Sequence, residues 1–370
     1  MKKINQLLII KVVIAITAAV FLISCSKSKG KIKICGIISM SSPAGVAEDG
    51  VTLKNGLALA VEEINSKGGI NNKEIELIIE DPGTNAEKAK SIYKRMKQEH
   101  EPLLFISNYS SVSIELAPLA EKDEVVLLCL VATSPKVTED RKWTFRYWPT
   151  VKDELSSILF LLDMLKVKNL GILYLNDDYG KSMFETLKKE YTANGGIVKT
   201  KSFARNELYF KNEIDSLMDT EAIFVVALPN YLDIIFKQLA RRKYNKPIIS
   251  TNAVCANFLR TSPEADGIYI NAPIIYSPGF IFKEEMKKKY ESRYEKRFNH
   301  FAANGYDAIN IIKGILKDEE ISRNNLRDML EMDFVHPGLF GDIDSRRGEH
   351  DLSFPLYPAR ISGGEIEYLR

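Results

Sequence analysis

Residues 105–135 read FISNYSSVSIELAPLAEKDEVVLLCLVATSP, and the fold can be inferred outward from this stretch. Two apolar runs, at residues 103–106 and 125–131, predict buried strands of a parallel sheet with a helix between them. Small hydroxyl side chains follow each run: Ser107, Ser110, Ser111 and Ser113 after the first, and Thr133 and Ser134 after the second. The stretch therefore predicts a strand, a loop, a helix, a second strand and a second loop.

The two hydroxyl-rich loops predict a ligand site. In an open parallel sheet, ligands bind beyond the carboxyl ends of the strands, where the next helices begin. Free backbone N–H groups and the helix dipole favour an anion there, and serine hydroxyls add further donors. Two adjacent loops of this kind predict a small ligand rich in acceptors, most simply a carboxylate. The alternative is that these serines only cap a helix.

Composition is that of a soluble globular protein. The chain has 370 residues, of which 45% are hydrophobic and 27% charged, with a formal charge of +2. This length suits two lobes of ordinary domain size better than one core. The lysine-rich segments at residues 94–97 and 287–289 alternate with acidic residues, so we read them as solvated helix faces and expect no nucleic-acid partner.

The N-terminus resembles a bacterial lipoprotein signal. Lys2 and Lys3 precede an apolar region at residues 12–23, and Leu-Ile-Ser-Cys ends at Cys25. This pattern predicts a signal peptide at residues 1–24, a lipid-modified Cys25 and a tether at residues 25–31. The alternative is an uncleaved membrane helix, but Lys11 leaves the apolar run too short to span a bilayer. We expect an extracytoplasmic domain held at a bacterial membrane by acyl chains.

The mature chain alternates strands and helices, which predicts a doubly wound α/β fold. A helix, a Gly-Gly-Ile turn, a strand, a helix and an apolar strand follow one another twice, and Gly69 and Gly196 mark corresponding turns. This duplication predicts two similar lobes. The alternation breaks at residues 143–150 and again near Ala272 and Pro273, where we expect the chain to cross between lobes. Cys35 and Cys129 lie in apolar runs, where they act as small buried hydrophobes unless adjacent strands pair them.

Several segments resemble one known family. They are AVEEINSKGGI (60–70), EDPGTNAEKA (80–89), SNYSSVSIELAPLAEKDEVVLL (107–128), VATSP (131–135), LNDDYGKS (175–182), GYDAINII (305–312) and GLFGDIDSRRG (338–348). In this order they are similar to the leucine/isoleucine/valine-binding group of type I periplasmic binding proteins, which serve branched-chain amino-acid ABC transporters.

The resemblance implies two flavodoxin-like lobes joined by three hinge crossings. One lobe would hold residues 32–149 and 274–353, and the other residues 150–273 and 354–370. It also implies a binding protein that closes on a small polar ligand, an amino acid or a related carboxylate or amide, and delivers it to an ABC permease. A ligand sensor that signals to a partner protein by the same closure remains the alternative. Neither is an enzyme, and we expect no cofactor and no metal.

The family's site residues can be carried over in part. Ser110, Val131, Ala132 and Thr133 occupy the positions that hold a ligand carboxylate, with Tyr109 and Ser111 beside them. Tyr179 matches the tyrosine that covers the ligand from the second lobe, and Ala44 belongs to the loop that lines the side-chain pocket. The acidic residue that pairs with the ligand ammonium falls where this chain has Thr251, Asn252 and Ala253. Asn252 can accept from an ammonium but cannot neutralise it, so a ligand without an ammonium fits equally well.

Overall fold

A computed structural model describes residues 30–345 and 348–369. The predicted signal peptide and Cys25 lie outside these residues. The strands are β1 Ile32–Ile37, β2 Ser41–Ser42, β3 Gly45–Val46, β4 Ile75–Glu80, β5 Leu104–Asn108, β6 Val126–Leu130, β7 Thr144–Tyr147, β8 Asn169–Leu175, β9 Ile197–Phe203, β10 Ala222–Val226, β11 Ile248–Ser250, β12 Tyr269–Pro273, β13 Phe334–Gly338, β14 Gly341–Ser345, β15 Asp351–Leu352, β16 Leu356–Ser362 and β17 Glu365–Tyr368.

The helices connect these strands in the expected alternation. They are α1 Glu48–Ser66, α2 Ala86–His100, α3 Ser110–Asp123, α4 Val151–Met164, α5 Asp178–Ala193, α6 Lys211–Leu217, α7 Pro229–Arg241, α8 Asn257–Arg260, α9 Glu284–Tyr294, α10 His300–Ile315 and α11 Arg323–Leu330. The duplicated unit is present as α1-β4-α2-β5 and again as α5-β9-α6-β10. No helix among the described residues is both long enough and apolar enough to cross a membrane.

Two large sheets define two lobes. The first sheet has the order β15-β7-β6-β5-β1-β4, and the second has the order β17-β16-β12-β11-β10-β8-β9. Both place their second long strand at the edge beside the first, which is the flavodoxin order. The first sheet is parallel throughout, and the second is parallel up to β12 and antiparallel at β16 and β17. The predicted α/β fold class is confirmed.

The chain passes between the two sheets three times. It leaves the first sheet after β7, returns after β12, and leaves again between β15 and β16. A crossing was predicted at residues 143–150, and the chain does leave the first sheet at residues 148–150, but four of these eight residues, 144–147, form β7. Its four residues are buried and pair with β6 from Leu127↔Thr144 to Leu130↔Tyr147. A strand of four residues, preceded by charged Arg141 and Lys142, was too short for its apolar pattern to be recognised.

The strand order also determines whether Cys35 and Cys129 can pair. Strand β5 lies between β1 and β6, so Cys35 is opposite Phe105 and Cys129 is opposite Ser107. Among the described residues Cys35, Cys129 and Cys255 are all buried free thiols. Burial raises the pKa of the Cys35 thiol to about 12, as expected of an unreactive core residue.

The first lobe is completed by a late part of the chain. Helices α1 and α10 pack so closely that a Cβ built on Gly56 would lie 2.1 Å from the Ala302 carbonyl oxygen. A Cβ on Gly305 would lie 2.4 Å from the Leu53 carbonyl oxygen. Glycine at these two positions is therefore required by the approach of two helix backbones. The buried faces of both helices join one core with β1, β5 and β6.

Candidate functional site

The carboxyl ends of the two parallel sheets face one cleft. The first lobe and its crossing contribute one set of lining residues: Asp49, Tyr109, Ser110, Val131, Thr133, Trp148 and Phe301. The second lobe contributes the other: Glu154, Asp177, Tyr179, Ala227, Leu228, Pro229, Asn252 and Ala253. About 430 Å³ of space lies between the protein atoms at this cleft. The two lobes therefore close around a compact volume.

Ser110 fixes the geometry of the two hydroxyl-rich loops. Tyr109, which precedes α3, has a φ of 65°, and this turn brings Ser110 to the first position of the helix. Ser110 Oγ accepts hydrogen bonds from the backbone N–H groups of Thr133 and Ser134, both at 3.1 Å. A serine hydroxyl has two acceptor positions and one donor. Both acceptor positions are used here, so Ser110 offers its O–H as a donor.

Glu154 brings a carboxylate to the cleft from the first turn of α4. It is 1% exposed, and its Oε1 accepts a hydrogen bond of 2.9 Å from Thr133 Oγ1. Burial raises its pKa to about 7, although hydrogen bonding to Thr133 acts in the opposite direction. Asn252 and Trp148 also lie close enough to Glu154 to oppose this rise in pKa. Even so, Oε2 makes no hydrogen bond of normal geometry with any described residue. A buried carboxylate oxygen without a partner is unfavourable until a donor reaches it.

Asp49 is a second buried carboxylate, 3% exposed, in the first turn of α1. Its Oδ2 accepts a hydrogen bond of 2.6 Å from the Tyr109 hydroxyl. Its Oδ1 is buried and makes no hydrogen bond of normal geometry with a described residue, although the backbone N–H groups of Asp49 and Gly50 lie near the carboxylate. Burial raises the pKa of Asp49 to about 6, against the hydrogen bond from Tyr109. The first lobe therefore also presents a buried carboxylate to the cleft.

The second lobe contributes a hydrogen-bond donor, Asn252, and an aromatic ring, Tyr179, that covers the cleft. The Tyr179 hydroxyl and Thr251 Oγ1 are 2.9 Å apart and hydrogen-bonded, which holds the ring over the cleft. Asn252 is 3% exposed, and its Nδ2 is buried with no partner of normal geometry among the described residues. This amide lies close enough to Glu154 to lower the pKa of that carboxylate, and the Ser110 hydroxyl is a second donor at the cleft.

Hydrogen bonds across the cleft hold the lobes together. Arg205 Nη2, from the loop after β9, donates to Asp177 Oδ2 at 2.7 Å and to Ser111 Oγ at 2.8 Å. Asp177 itself caps α5 by accepting from the Gly180 N–H group at 2.9 Å. Further cross-lobe bonds join Asn230 to Ser42 at 2.7 Å and Ser182 to Ser134 at 2.8 Å. The structure is therefore the closed form.

Six of the nine predicted site residues line the cleft cavity: Tyr109, Ser110, Val131, Thr133, Tyr179 and Asn252. Thr133 was predicted to hold a ligand carboxylate. In the structure its N–H group donates to Ser110, and its hydroxyl donates to Glu154. Three predicted residues lie outside the lining. Ala132 packs into the core behind the sheet, Ser111 turns to Arg205, and Ala44 lies in the turn between β2 and β3.

The acidic side of the cleft was not predicted from the sequence. Residues 251–253 hold no carboxylate, and for that reason a ligand with an ammonium and one without were given equal weight. The structure places Glu154 and Asp49 on the cavity instead. Both occupy first turns of helices, where acidic residues are ordinary. Their position in the sequence was the signal that could have revealed them, because the helices that carry them begin directly after a strand end or a crossing. In residues 30–345 and 348–369, no group of three or more His, Cys, Asp or Glu is arranged to hold a metal ion.

Comparisons with known proteins agree with this architecture. A profile of the family described as "Periplasmic binding protein" matches residues 31–365. The Leu/Ile/Val-binding protein homolog 7 of Brucella suis is 24% identical over 307 residues, covering 76% of each chain. An amino acid binding protein of Pseudomonas aeruginosa is 22% identical over 144 residues, and this match spans only 38% of each protein.

Solved structures show the same fold. The leucine binding protein LivK of Thermotoga maritima superposes with a TM-score of 0.84 at 20% sequence identity. The superposition covers 92% of this chain and 98% of the other. At this identity the likeness concerns the arrangement of the two lobes, while the ligand has to be argued from the cleft itself.

Proposed function

The chain belongs to the periplasmic binding protein family, and from this premise we propose that it captures a small ligand that carries an ammonium group and a hydrogen-bond acceptor such as a carboxylate. An α-amino acid is the simplest compound of this kind. The names of its relatives, which refer to leucine, isoleucine, valine and amino acids, support the proposal. No reaction is assigned to the cleft.

The buried Glu154 carboxylate is the observation that carries the proposal. Its Oε2 makes no hydrogen bond of normal geometry with a described residue, although Asn252 and Trp148 lie near the carboxylate, and Glu154 lines the cavity between the lobes. A ligand ammonium would supply the missing donor and favour the ionised carboxylate. Charge-assisted bonds of this kind are roughly twice as strong as neutral ones. Ser110 would donate to the acceptor end of the same ligand, whereas Asn252 lies beside Glu154.

Asp49 extends the proposal to the rest of the ligand. Its Oδ1 makes no hydrogen bond of normal geometry with a described residue, and Asp49 lines the cleft cavity from the first lobe. A purely aliphatic side chain would leave this oxygen buried and unpaired, at a cost of about 1–3 kcal/mol. We therefore expect a compact ligand with a further hydrogen-bond donor, such as a hydroxyl, an amide or a second ammonium.

Export, lipid modification of Cys25 and delivery to an ABC permease are part of the same proposal. They rest on the signal pattern at residues 1–25 and on the family's role. Closure supplies the physical link to a membrane partner, because cross-lobe bonds such as Arg205 to Ser111 exist only when the lobes meet. A partner that contacts both lobes can thereby distinguish the loaded protein from the open one.

A thermal-shift screen of the full-length chain tests the proposal. The ligands are matched pairs that differ in one group: alanine and propionate for the ammonium, and valine and threonine for a second donor. Alanine should stabilise more than propionate, and threonine more than valine. A ligand at 100 times its Kd adds about 2.7 kcal/mol to the free energy of unfolding. If propionate and alanine shift the melting temperature equally, Glu154 does not bind an ammonium and the proposal fails.

A further inference from the structure

A second cavity lies where the two lobes meet beside the second crossing. Arg260 and Glu365 line it from the second lobe, and Lys283, Lys287, Glu291 and Arg297 line it from the segment that contains α9. Helix α9 belongs with the first lobe, because Lys289 and Arg293 form ion pairs with Glu63 and Glu62 of α1 at 3.1 Å. This junction cavity is therefore built from both lobes and is separate from the cleft.

The junction cavity carries an excess of positive charge. Four cationic side chains line it against two carboxylates, and both carboxylates are engaged. Glu365 is shared by Arg260 at 3.2 Å and Arg297 at 2.7 Å. Glu291 Oε1 accepts a hydrogen bond of 3.0 Å from the Phe298 N–H group. Two positive charges are left without an equivalent anion on the lining.

Arg260 is the buried member of this set. Its side chain is 4% exposed, and its Nε is buried with no hydrogen-bond acceptor in the described residues. The guanidinium lies 5.5 Å from the centre of the Tyr276 ring. The pKa of the neighbouring His300 is lowered to about 3, first by burial and then by the charge of Arg260. The local field at the junction is thus positive.

Lys283 and Lys287 add to that field. Lys283 is 6% exposed, and its ammonium donates to the Ser277 carbonyl at 2.7 Å. Burial lowers the pKa of Lys283, the charge of Glu284 at 4.0 Å raises it, and repulsion by Lys287 lowers it. Two cations that repel each other at the rim of a cavity are stabilised by an anion placed between them.

We propose that the junction cavity binds a small tetrahedral oxyanion of the phosphate or sulfate class. Arg260 Nε–H, Lys287 and Arg297 are the donors, and arginine in particular matches the geometry of such an anion. About 430 Å³ of space lies between the protein atoms at this cavity.

The anion stabilises the lobe arrangement seen here, because its donors come from both lobes. Any ligand that prefers the closed form then binds more tightly when the anion is present, since the coupling of two sites is reciprocal. The proposal itself does not depend on the identity of the cleft ligand.

The test compares two adjacent lysines in the full-length chain. Lys287 lines the junction cavity, whereas Lys288 does not. Calorimetry and thermal shift are run with sodium phosphate, sodium sulfate and sodium chloride at one ionic strength, without any cleft ligand. Phosphate or sulfate should raise the melting temperature saturably and chloride should not. K287Q should bind the oxyanion about tenfold more weakly, and K288Q should match the natural chain.

Two results overturn the proposal. One is an equal response to all three salts, which indicates general screening. The other is an equal loss of oxyanion affinity in K287Q and K288Q, which indicates a diffuse surface effect. Melting temperatures in phosphate-free buffer show whether either variant is misfolded. K287E reverses the charge at a half-buried position and should abolish the stabilisation by phosphate or sulfate. Because no cleft ligand is used, these results are independent of the amino-acid proposal.

Discussion

Thr133 of the first lobe donates a 2.9 Å hydrogen bond to Glu154 of the second, across the cleft. The bond links the loop after β6 to the first turn of α4, and both residues are almost fully buried. A hydroxyl can satisfy only one carboxylate oxygen, so the same contact that joins the lobes leaves Glu154 Oε2 available to a ligand. Closure and ligand recognition therefore share one carboxylate.

Replacing Glu154 by glutamine should abolish the preference for an ammonium ligand. The amide keeps the shape and can still accept from Thr133, but it cannot form a charge-assisted bond. We expect affinity for an amino-acid ligand to fall roughly 10- to 100-fold, from the worth of a hydrogen bond to a charged group. Calorimetry measures this directly. The control is E185Q on the exposed face of α5. Equal affinity for the natural chain and E154Q would remove Glu154 from the site.

Ligand affinity should rise with pH. The pKa values of Glu154, about 7, and Asp49, about 6, are both raised by burial. Below these values the carboxylates are protonated and must lose a proton before they pair with an ammonium. Affinity should therefore increase on the order of tenfold between pH 5.5 and 8 and then level off. In E154Q the profile should flatten. A profile that falls over this range would contradict the assignment.

Stability of the ligand-free chain should change in the opposite direction. The folded pKa of Glu154 lies above its ordinary value of 4.5, and that of Asp307, about 7, lies above 3.8. Between pH 4.5 and 7 the folded chain holds protons that the unfolded chain has released. The free energy of unfolding therefore decreases as pH rises through this window. Denaturant unfolding at several pH values measures it, and D307N should reduce the slope while leaving ligand affinity unchanged.

Ser110 and Ser111 should behave differently when changed to alanine. S110A removes the acceptor of two buried N–H groups, so stability should drop on the order of 2 kcal/mol in addition to any loss of ligand. S111A removes only the bond to Arg205 and leaves the Arg205–Asp177 pair intact. We expect S111A to fold normally and to populate the open form more, with a larger radius of gyration in small-angle scattering. An unchanged scattering curve would mean that the Arg205 contact does not hold the closed form.

Changing Gly56 to alanine should destabilise the first lobe. A Cβ there meets the Ala302 carbonyl oxygen at 2.1 Å, and overpacking of this kind costs about 1–3 kcal/mol. The helix propensity of alanine offsets only part of that cost. Gly279 is the matched position, because a Cβ on it meets nothing within 4 Å. Denaturant unfolding should show a lower midpoint for G56A and little change for G279A.

The fold could be predicted because its signals are local and repeated. Apolar runs such as β5 and β6 are buried on both faces, and the matching Gly-Gly-Ile turns reveal the duplication. Strand β7 was missed because four residues give too little pattern. Strand β15 has only two residues and is held by its pairing with β7, which no local signal encodes.

The site could be predicted only where it follows strand ends. Ser110, Thr133, Tyr179 and Asn252 all lie just after strands, so topology alone brings them together. Glu154 and Asp49 were missed because an acidic residue in the first helical turn needs no special explanation. Their role depends on burial, which arises only when the two lobes close around them. Closure is a tertiary property that a single sequence does not display.

The pairing of α1 with α10 has a consequence for how the protein is made. Five of the seven strands of the second sheet, β8 to β12, are consecutive in the chain, whereas the first lobe is completed only by residues 300–352, which supply α10 and β15. A chain synthesised from its N-terminus therefore exposes the apolar face of α1 until about four-fifths of the sequence has emerged. Such long-range pairing is slow to form. We expect the lobe that is translated first to fold last, which keeps the nascent chain unfolded for most of its synthesis.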